Sequence, residues 1–332
     1  MKIVKRHTCF LMLSLCMLFP KAFAQHPHVY TISDGLSSSH INSITVDRKG
    51  CLWLSGENSL DVFDGVRFHY NIQNPKEMGQ RLFDTANLVK EEDDGLFWLG
   101  TSNGLLLFNL KKNEFQRIQL SPMEPKSGYS VFQISDMPNP DYLFLTTSGY
   151  GSYIYNKKEK AVDTVLTARY NAAINNTMIS KSLLGSKGYL WVFTSFNEIK
   201  RISTSDVKAK PVRITDEASQ VLATAVIQDV CEDSVTGNIF IGTSHRGLLI
   251  YDRKEDVIRT ARTPSHLSVS AILIRKNGDI VVGTDGDGLW TFDRTTEALQ
   301  QWRLGEANLD TDHSKVHCLK EDAEGNILAA LI

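Results

Sequence analysis

A short sequence pattern recurs along this chain and limits its possible folds more than any other feature. In most copies a glycine stands three residues before an apolar anchor, and the apolar run around the anchor ends in small residues, as in Gly95-Leu-Phe-Trp98-Leu-Gly-Thr101. The anchors are Trp53, Trp98, Phe144, Trp191, Phe240, Val281 and Leu328, so successive copies lie 41 to 49 residues apart. Seven copies at such a period indicate an array of supersecondary units.

Each copy has the same internal order of short β-type segments. An apolar strand comes first, a glycine-containing turn leads into the anchor strand, and a Gly-Leu step such as Gly247-Leu248 leads into a third strand. A fourth, short strand such as Val257-Ile-Arg-Thr260 closes the unit. Four antiparallel strands per repeat predict an all-β fold, a β-propeller of about seven four-stranded blades. A pair of β-sandwiches is the alternative, but it does not account for one motif repeated seven times.

The two ends of the chain differ from the repeats. Residues 1–24 have the pattern of a secretory signal peptide, with a basic start, an apolar run over Cys9–Phe19 and the small-residue site Ala22-Phe23-Ala24. Residues 25–332 are predicted to form the propeller, and the segment 28–32 is expected to be a strand that completes the last blade. The last copy holds only its first two strands, so we expect an incomplete last blade and a natural protein that continues beyond Ile332.

Composition excludes several classes of protein. Lys and Arg number 36 against 38 Asp and Glu, which gives a net charge of -2 and argues against direct contact with nucleic acid. After signal-peptide removal three cysteines remain, Cys51, Cys231 and Cys318, without the paired spacing of a metal site. We interpret them as small buried apolar residues. No metal and no cofactor is expected.

Acidic residues recur at two kinds of turn. One precedes the first turn of several repeats and is expected to cap that turn by accepting backbone N–H bonds: Asp47, Glu92, Asp233 and Asp322. The run Asp285-Gly-Asp287-Gly288 has paired carboxylates but lacks the further oxygen ligands that calcium needs, so we interpret it as a hairpin turn. No catalytic motif occurs, and the chain is predicted not to be an enzyme.

The repeat frame D-x-x-G-x-[LIVF]-W-[LIV]-G-T-x-x-G-[LIV]-x-x-[FY]-[DN] resembles the two-component regulator propeller repeat. The opening Tyr30-Thr-Ile-Ser-Asp34-Gly35-Leu36 and the segment Phe63-Asp64-Gly65 resemble the same family, so the resemblance covers residues 28–332. Two departures affect packing positions. The third repeat reads Phe144-Leu-Thr-Thr147 without the tryptophan and the Gly-Thr pair, and Phe193 stands in the fourth repeat where glycine is usual.

The resemblance implies the periplasmic N-terminal sensor region of a Bacteroidetes hybrid two-component system. It further implies that a second propeller, a β-sandwich domain and one membrane helix follow Ile332, and that kinase, receiver and DNA-binding domains then control transcription. Such a region is expected to bind an oligosaccharide, to dimerise through the full-length protein, and to reach the membrane only through the downstream segments.

Loops carry the function of rigid propellers, and the turns between second and third strands gather at one end of the ring. Aromatic and planar polar side chains on these turns suit a sugar. The predicted ligand-binding residues are Tyr150, Phe196, Asn197, His245, Arg246 and Asp285. We favour the sensor, while a secreted propeller hydrolase or lyase acting on glycans and a protein-interaction scaffold stay open as alternatives.

Overall fold

Each repeat folds as a small antiparallel sheet, because its strands alternate and are joined by tight turns. The structure is a computed structural model that describes residues 28–71, 76–77, 80–264, 266–302 and 314–331. The predicted signal peptide lies outside the described residues. Among those residues, no helix has the length and apolar character required to cross a bilayer.

The first three blades follow the predicted strand order. Blade 1 contains β1 (Ile41–Val46), β2 (Leu52–Gly56), β3 (Ser59–Phe63) and β4 (Phe68–Asn71), followed by a separate two-stranded ladder of β5 (Lys76–Glu77) and β6 (Gln80–Arg81). Blade 2 contains β7 (Ala86–Asp93), β8 (Leu96–Thr101), β9 (Gly104–Asn109) and β10 (Glu114–Ile118). Blade 3 contains β11 (Val131–Asp136), β12 (Tyr142–Thr147), β13 (Ser152–Asn156) and β14 (Ala161–Val162).

The next three blades are also complete, and helices precede two of them. Helix α1 (Thr164–Ile174) leads to blade 4, which contains β15 (Ile179–Gly185), β16 (Tyr189–Thr194), β17 (Ile199–Ser203) and β18 (Lys208–Lys210). Strand β19 (Arg213–Ile214) and helix α2 (Asp216–Thr224) lead to blade 5, which contains β20 (Ile227–Asp233), β21 (Asn238–Thr243), β22 (Gly247–Asp252) and β23 (Val257–Thr260). Blade 6 contains β24 (Val269–Ile274), β25 (Ile280–Thr284), β26 (Leu289–Asp293) and β27 (Ala298–Gln301).

Two strands of a seventh blade follow, β28 (Val316–Glu321) and β29 (Ile327–Leu331). The first strand of every blade contacts the first strand of the next, and β28 contacts β1, so these seven strands form a closed inner ring. The all-β propeller with an incomplete last blade is therefore confirmed.

The inner ring exposes one edge of every first strand to the central axis, where no further strand can pair with it. Side chains of the preceding blade bind this edge. Asn87 Nδ2 donates to the carbonyl of Val131 at 2.8 Å, and Thr45 Oγ1 donates to the carbonyl of Val89 at 2.7 Å. These bonds satisfy backbone groups that would otherwise be unpaired, because no fifth strand reaches the axis.

The anchor residues pack between neighbouring blades, as the repeat predicted. Trp53 is fully buried against Phe97 of blade 2, with ring centroids 3.8 Å apart, and Trp191 lies 4.6 Å from the ring of Tyr251 in blade 5. One apolar cluster occupies each of the six seams from blade 1 to blade 7. A buried aromatic ring removes roughly 150–250 Å² from water, so these seams supply most of the core.

The acidic residue before the first turn does more than cap that turn. Asp47 Oδ1 accepts the N–H groups of Lys49 and Cys51 at 2.9 and 2.8 Å, as expected, and Oδ2 accepts the indole N–H of Trp53 at 2.9 Å. In blade 2 the Glu92 carboxylate accepts the indole N–H of Trp98 at 2.8 Å and pairs with Lys157 at 2.6 Å. Among the described residues it accepts no backbone N–H of the turn, so the predicted cap is wrong for Glu92. The carboxylate thus satisfies the polar atom of an otherwise apolar anchor.

A second acidic residue, directly before this position in the sequence, joins consecutive blades. Glu91, Glu232 and Glu321 accept backbone N–H bonds from the first turn of the preceding blade, with N···O distances of 2.7 to 2.8 Å. The sequence analysis missed this contact, because its partner lies about one whole repeat away.

The glycine of the Gly-Thr pair is required because a side chain at this position would clash with the next blade. A Cβ on Gly242 would lie 2.6 Å from Val269 Cγ1 and 2.8 Å from the Val269 carbonyl oxygen of blade 6. In blade 4, Phe193 replaces this glycine and is fully buried in a cluster with Leu222 of α2. The inserted helix α2 therefore packs against the Phe193 ring, for which a regular seam between two blades has no space.

Three features differ from the sequence-based expectations. Helices α1 and α2 were not predicted, and β19 pairs in parallel with β23 to give blade 5 a fifth strand. The prediction that residues 28–32 form a strand of the last blade is wrong. This segment lacks strand structure, and Tyr30 packs against Phe63 of blade 1 at 4.7 Å.

The three cysteines are unpaired and partly buried, so the prediction of small buried apolar residues holds only in part. Burial raises the pKa of the Cys231 thiol to about 11 and that of Cys318 to about 12. Both thiols are therefore neutral at pH 7, which agrees with an apolar packing role.

Replacing Gly242 by alanine should destabilise the fold by about 1–3 kcal/mol, because the new methyl group overpacks the seam between blades 5 and 6. Chemical denaturation followed by circular dichroism measures the loss. The double variant Gly242→Ala/Val269→Ala should recover part of it, since the clash with Cγ1 disappears while the carbonyl contact stays. Equal stability of Gly242→Ala and the native chain would contradict the steric argument.

Asp47→Ala should cost about 1.5–3 kcal/mol, since the buried indole N–H of Trp53 loses a charged acceptor. A double-mutant cycle with Trp53→Phe isolates the indole bond, because phenylalanine keeps an aromatic ring but has no N–H. A coupling energy of zero would show that the carboxylate acts on the turn alone.

Candidate functional site

The turns between second and third strands lie at one end of the propeller together with the connectors between blades. We call this end the upper face. Each turn is held by the connector into its own blade: the N–H of Ser148 donates to Ser130 O, that of Ser195 to Met178 O, and that of Ser244 to Val226 O, at 2.8 to 2.9 Å. The upper face is therefore a set of short, hydrogen-bonded turns.

A buried threonine at the end of the second strand also holds these turns in place through a side-chain hydrogen bond. Thr101, Thr147, Thr243 and Thr284 are all buried, and each donates from Oγ1 to the carbonyl of the glycine that begins or precedes the third strand, at 2.7 to 2.8 Å. This bond explains the threonine of the Gly-Thr pair. It also gives the side chains carried by the turns a rigid base.

Four large apolar side chains are exposed on adjoining turns and connectors of blades 3 to 5. Tyr150 is 55% exposed, Met178 41%, Phe196 71% and Val226 55%. They alternate between turns and connectors: Ser148 of the Tyr150 turn pairs with Met178, and Asn197 of the Phe196 turn bonds to Ala225 beside Val226. We call these four residues the apolar arc. Exposed apolar side chains grouped on adjoining segments make this part of the upper face the candidate binding surface.

A stack of tyrosines supports one end of the apolar arc. The ring of Tyr150 stacks on Tyr129 with centroids 4.2 Å apart, and Tyr129 lies 6.0 Å from Tyr153. Burial raises the pKa of Tyr153 to about 12, so its hydroxyl stays neutral. The Glu124 carboxylate folds the preceding loop by accepting the N–H groups of Leu120 and Tyr129 at 2.6 and 3.2 Å. The exposed face of Tyr150 is thus held in place.

Asn197 lies beside Phe196 but uses its side chain within the protein. Its Nδ2 donates to the carbonyls of Leu222 and Ala225 at 2.8 and 2.5 Å, and its Oδ1 accepts the N–H of Ile227 at 3.3 Å. It adopts φ 60°, a left-handed conformation that asparagine tolerates. The amide therefore caps the C-terminal end of α2.

The remaining predicted residues lie on blades 5 and 6. His245 and Arg246 are exposed on the turn of blade 5. Asp285 forms an ion pair with Lys315, with 3.3 Å between Oδ2 and Nζ. The run from Asp285 to Gly288 is a hairpin turn, as interpreted from sequence, and no group of three or more candidate metal ligands occurs among the residues described. The upper face thus brings the six predicted residues to one end of the ring.

Charged side chains in the inner ring were not anticipated. Lys181 Nζ lies 3.9 Å from Asp229 Oδ1, and Asp229 Oδ2 accepts the N–H of Ile272 at 2.8 Å. Burial raises the pKa of the Asp229 carboxyl, and burial together with the nearby Lys315 lowers the pKa of His317. Lys181, Asp229 and His317 belong to first strands, and the pairing of every first strand with the second has a register shift that the repeat pattern does not reveal.

Asn197→Ala should lower stability by about 1–3 kcal/mol, because the carbonyls of Leu222 and Ala225 and the N–H of Ile227 lose their partner. Phe196→Ala should leave stability nearly unchanged, since the ring is mostly exposed. Thermal unfolding of both variants separates a structural side chain from one that is free for a ligand. A Phe196→Ala loss as large as that of Asn197→Ala would contradict this division.

Comparison with known proteins gives a family match in blade 1. The model of the two component regulator propeller family matches residues 35–58, which cover β1 and β2. No curated protein sequence matches the chain significantly.

Solved structures match over most of the chain. The extracellular domain of the putative hybrid two component system BT3049 from B. thetaiotaomicron has a TM-score of 0.74 at 20% identity, over 92% of this chain and 40% of that one. The extracellular domain of BT4673, from the same organism, gives 0.68 at 21% identity, over 89% and 37%. PorZ, a surface component of the type-IX secretion system of Porphyromonas gingivalis, gives 0.68 at 15% identity, over 92% and 46%.

The chain spans less than half the length of these three structures, and at such identities the matches establish the fold. The chain thus carries a two-component regulator propeller repeat at residues 35–58, and it shares its propeller fold with extracellular domains of hybrid two-component systems.

Proposed function

We propose that this chain is the periplasmic ligand-sensing propeller of a hybrid two-component system and that its ligand is an oligosaccharide. The observation that carries the proposal is the apolar arc on rigid turns. The family match in blade 1 and the fold shared with extracellular sensor domains support the signalling role.

The chemistry of the upper face favours a sugar. Tyr150 and Phe196 present exposed aromatic rings on which the apolar C–H face of a sugar can stack. His245 and Arg246 add hydrogen-bonding groups on the next blade. Because the turns are already fixed by backbone bonds, binding orders few additional groups, which reduces its entropic cost.

Affinity for a ligand is not sufficient for signalling. The ligand must bind two arrangements of the whole sensor with different affinities, since equal binding to both shifts no equilibrium. A dimer of the full-length protein would supply two such arrangements, and a kinase outside this chain would convert them into a change in transcription. In this proposal the propeller itself catalyses nothing.

The triple variant Tyr150→Ala/Phe196→Ala/Arg246→Ala tests the proposal. Isothermal titration calorimetry of the native chain is run against neutral oligosaccharides of two to six residues from the gluco-, manno-, galacto-, xylo- and arabino-series. We expect at least one series to bind and the triple variant to lose at least about tenfold in affinity, equivalent to about 1.4 kcal/mol.

A matched control carries three substitutions on exposed turns away from the upper face, Lys112→Ala/Val235→Ala/Arg253→Ala. The control should bind like the native chain. If no sugar binds the native chain, the proposed ligand class is wrong. If the triple variant binds as well as the control, the apolar arc is not the binding surface.

A further inference from the structure

A cleft of about 630 Å³ opens at the outer edge of the propeller, between blades 5 and 6. This volume lies within the range of small-ligand sites. Its walls come from the connector after β23, the first turn of α2 and the start of β27. The lining residues are Glu217, Thr260, Ala261, Arg262, Thr263, Pro264 and Glu297. We call it the rim cleft, and none of its residues was singled out from the sequence.

Backbone pairing holds the walls of the rim cleft in place. The connector pairs in parallel with blade 6, as Arg262 N donates to Glu297 O at 3.0 Å and Leu299 N donates to Arg262 O at 3.2 Å. Glu217 projects from α2, which Thr215 caps at its N-terminal end. The cleft is therefore a fixed feature of the seam between the two blades.

The polar side chains of the rim cleft are mostly free. Within the part of the chain that the structure describes, Glu217, Arg262, Thr260 and Thr263 have no side-chain hydrogen bond or ion pair. Glu297 differs, because Arg259 binds both of its oxygens at 2.7 and 2.6 Å. Unpaired donors and acceptors thus face the same opening.

Helix α2 links the rim cleft to the apolar arc. Glu217 in its first turn lines the cleft, and its C-terminal end is held by Asn197, next to Phe196. On the other side, Gly247 packs so closely against Thr263 that a Cβ would overlap the threonine hydroxyl. Arg246 directly precedes this glycine. An extended oligosaccharide can span from the arc to the cleft along α2, since the 9 residues of this helix correspond to about 13 Å.

We propose that the rim cleft is an end subsite that holds one neutral sugar ring through vicinal hydroxyl groups. The inference rests on the proposed function and adds the location and the chemistry of one subsite. Hydroxyl groups of a diol donate to the Glu217 carboxylate and accept from the Arg262 guanidinium, and Ala261 and Pro264 contact the ring carbons. The charges of Glu217 and Arg262 balance, as do those of Glu297 and its partner Arg259, so the cleft offers no net positive charge to hold a uronic acid or a sulfated sugar.

The test uses the intact chain and the same panel of neutral oligosaccharides, with galacturonic acid oligomers as the acidic comparison. Glu217→Gln and Arg262→Ala are each expected to weaken binding of a neutral oligosaccharide at least about tenfold. The acidic oligomers should bind the native chain more weakly than the neutral series. Glu159→Gln and Arg253→Ala are the matched controls, because both residues are exposed and lie outside the cleft and the arc.

The outcomes separate the subsite from the proposed function. Loss of affinity in both cleft variants, with unchanged melting temperature, supports the subsite. Native affinity in both cleft variants, combined with weak binding by Tyr150→Ala, overturns the subsite and leaves the sensor proposal standing. Tighter binding of the acidic oligomers overturns the assignment to a neutral sugar. Failure of every sugar to bind the native chain overturns both proposals together.

Discussion

The inner ring of first strands is the constraint on which the rest of this structure depends. Every first strand has an edge at the axis without a strand partner, and unpaired edge groups are costly. Side chains from the preceding blade satisfy that edge, as Asn87 does for Val131. Each blade therefore depends on its neighbour for backbone hydrogen bonds as well as for apolar packing. This requirement fixes the order and spacing of the blades, and with them the positions of all upper-face turns.

The proposed binding surface coincides with irregular parts of the ring. Blades 3 to 5 carry the departures from the repeat: Phe193 in place of glycine and the inserted helices α1 and α2. The apolar arc and the rim cleft lie on these same blades and on the adjoining edge of blade 6. Departures from a locally consistent pattern are expected where a fold carries function. The irregular seams therefore bring together the surface that we assign to the ligand.

The sequence predicted the blades, most of the turn caps and the exposure of Tyr150, Phe196, His245 and Arg246, because these follow from local repeats. It did not predict α1, although Asp163 and Asn175 cap its two ends. The apolar residues of that helix follow a helical period only weakly, and Asp and Asn are also common in turns, so its two cap residues do not distinguish a helix from a loop in the sequence. Asn197 was expected to contact ligand, yet its amide caps α2, whose last turn lies 25 residues further along the chain. A local sequence pattern does not reveal a hydrogen-bond partner 25 residues away.

By itself, the sequence determined the number of blades, their internal strand order and the residues that the turns carry. Tertiary structure decided which of those turn residues are free for a ligand. It also created the rim cleft, whose walls come from three separate segments of the chain. The physical reason is that strand and turn propensities act over a few residues. Side-chain partners in a propeller come from the neighbouring blade, about 40–50 residues away, and are fixed only when the ring closes.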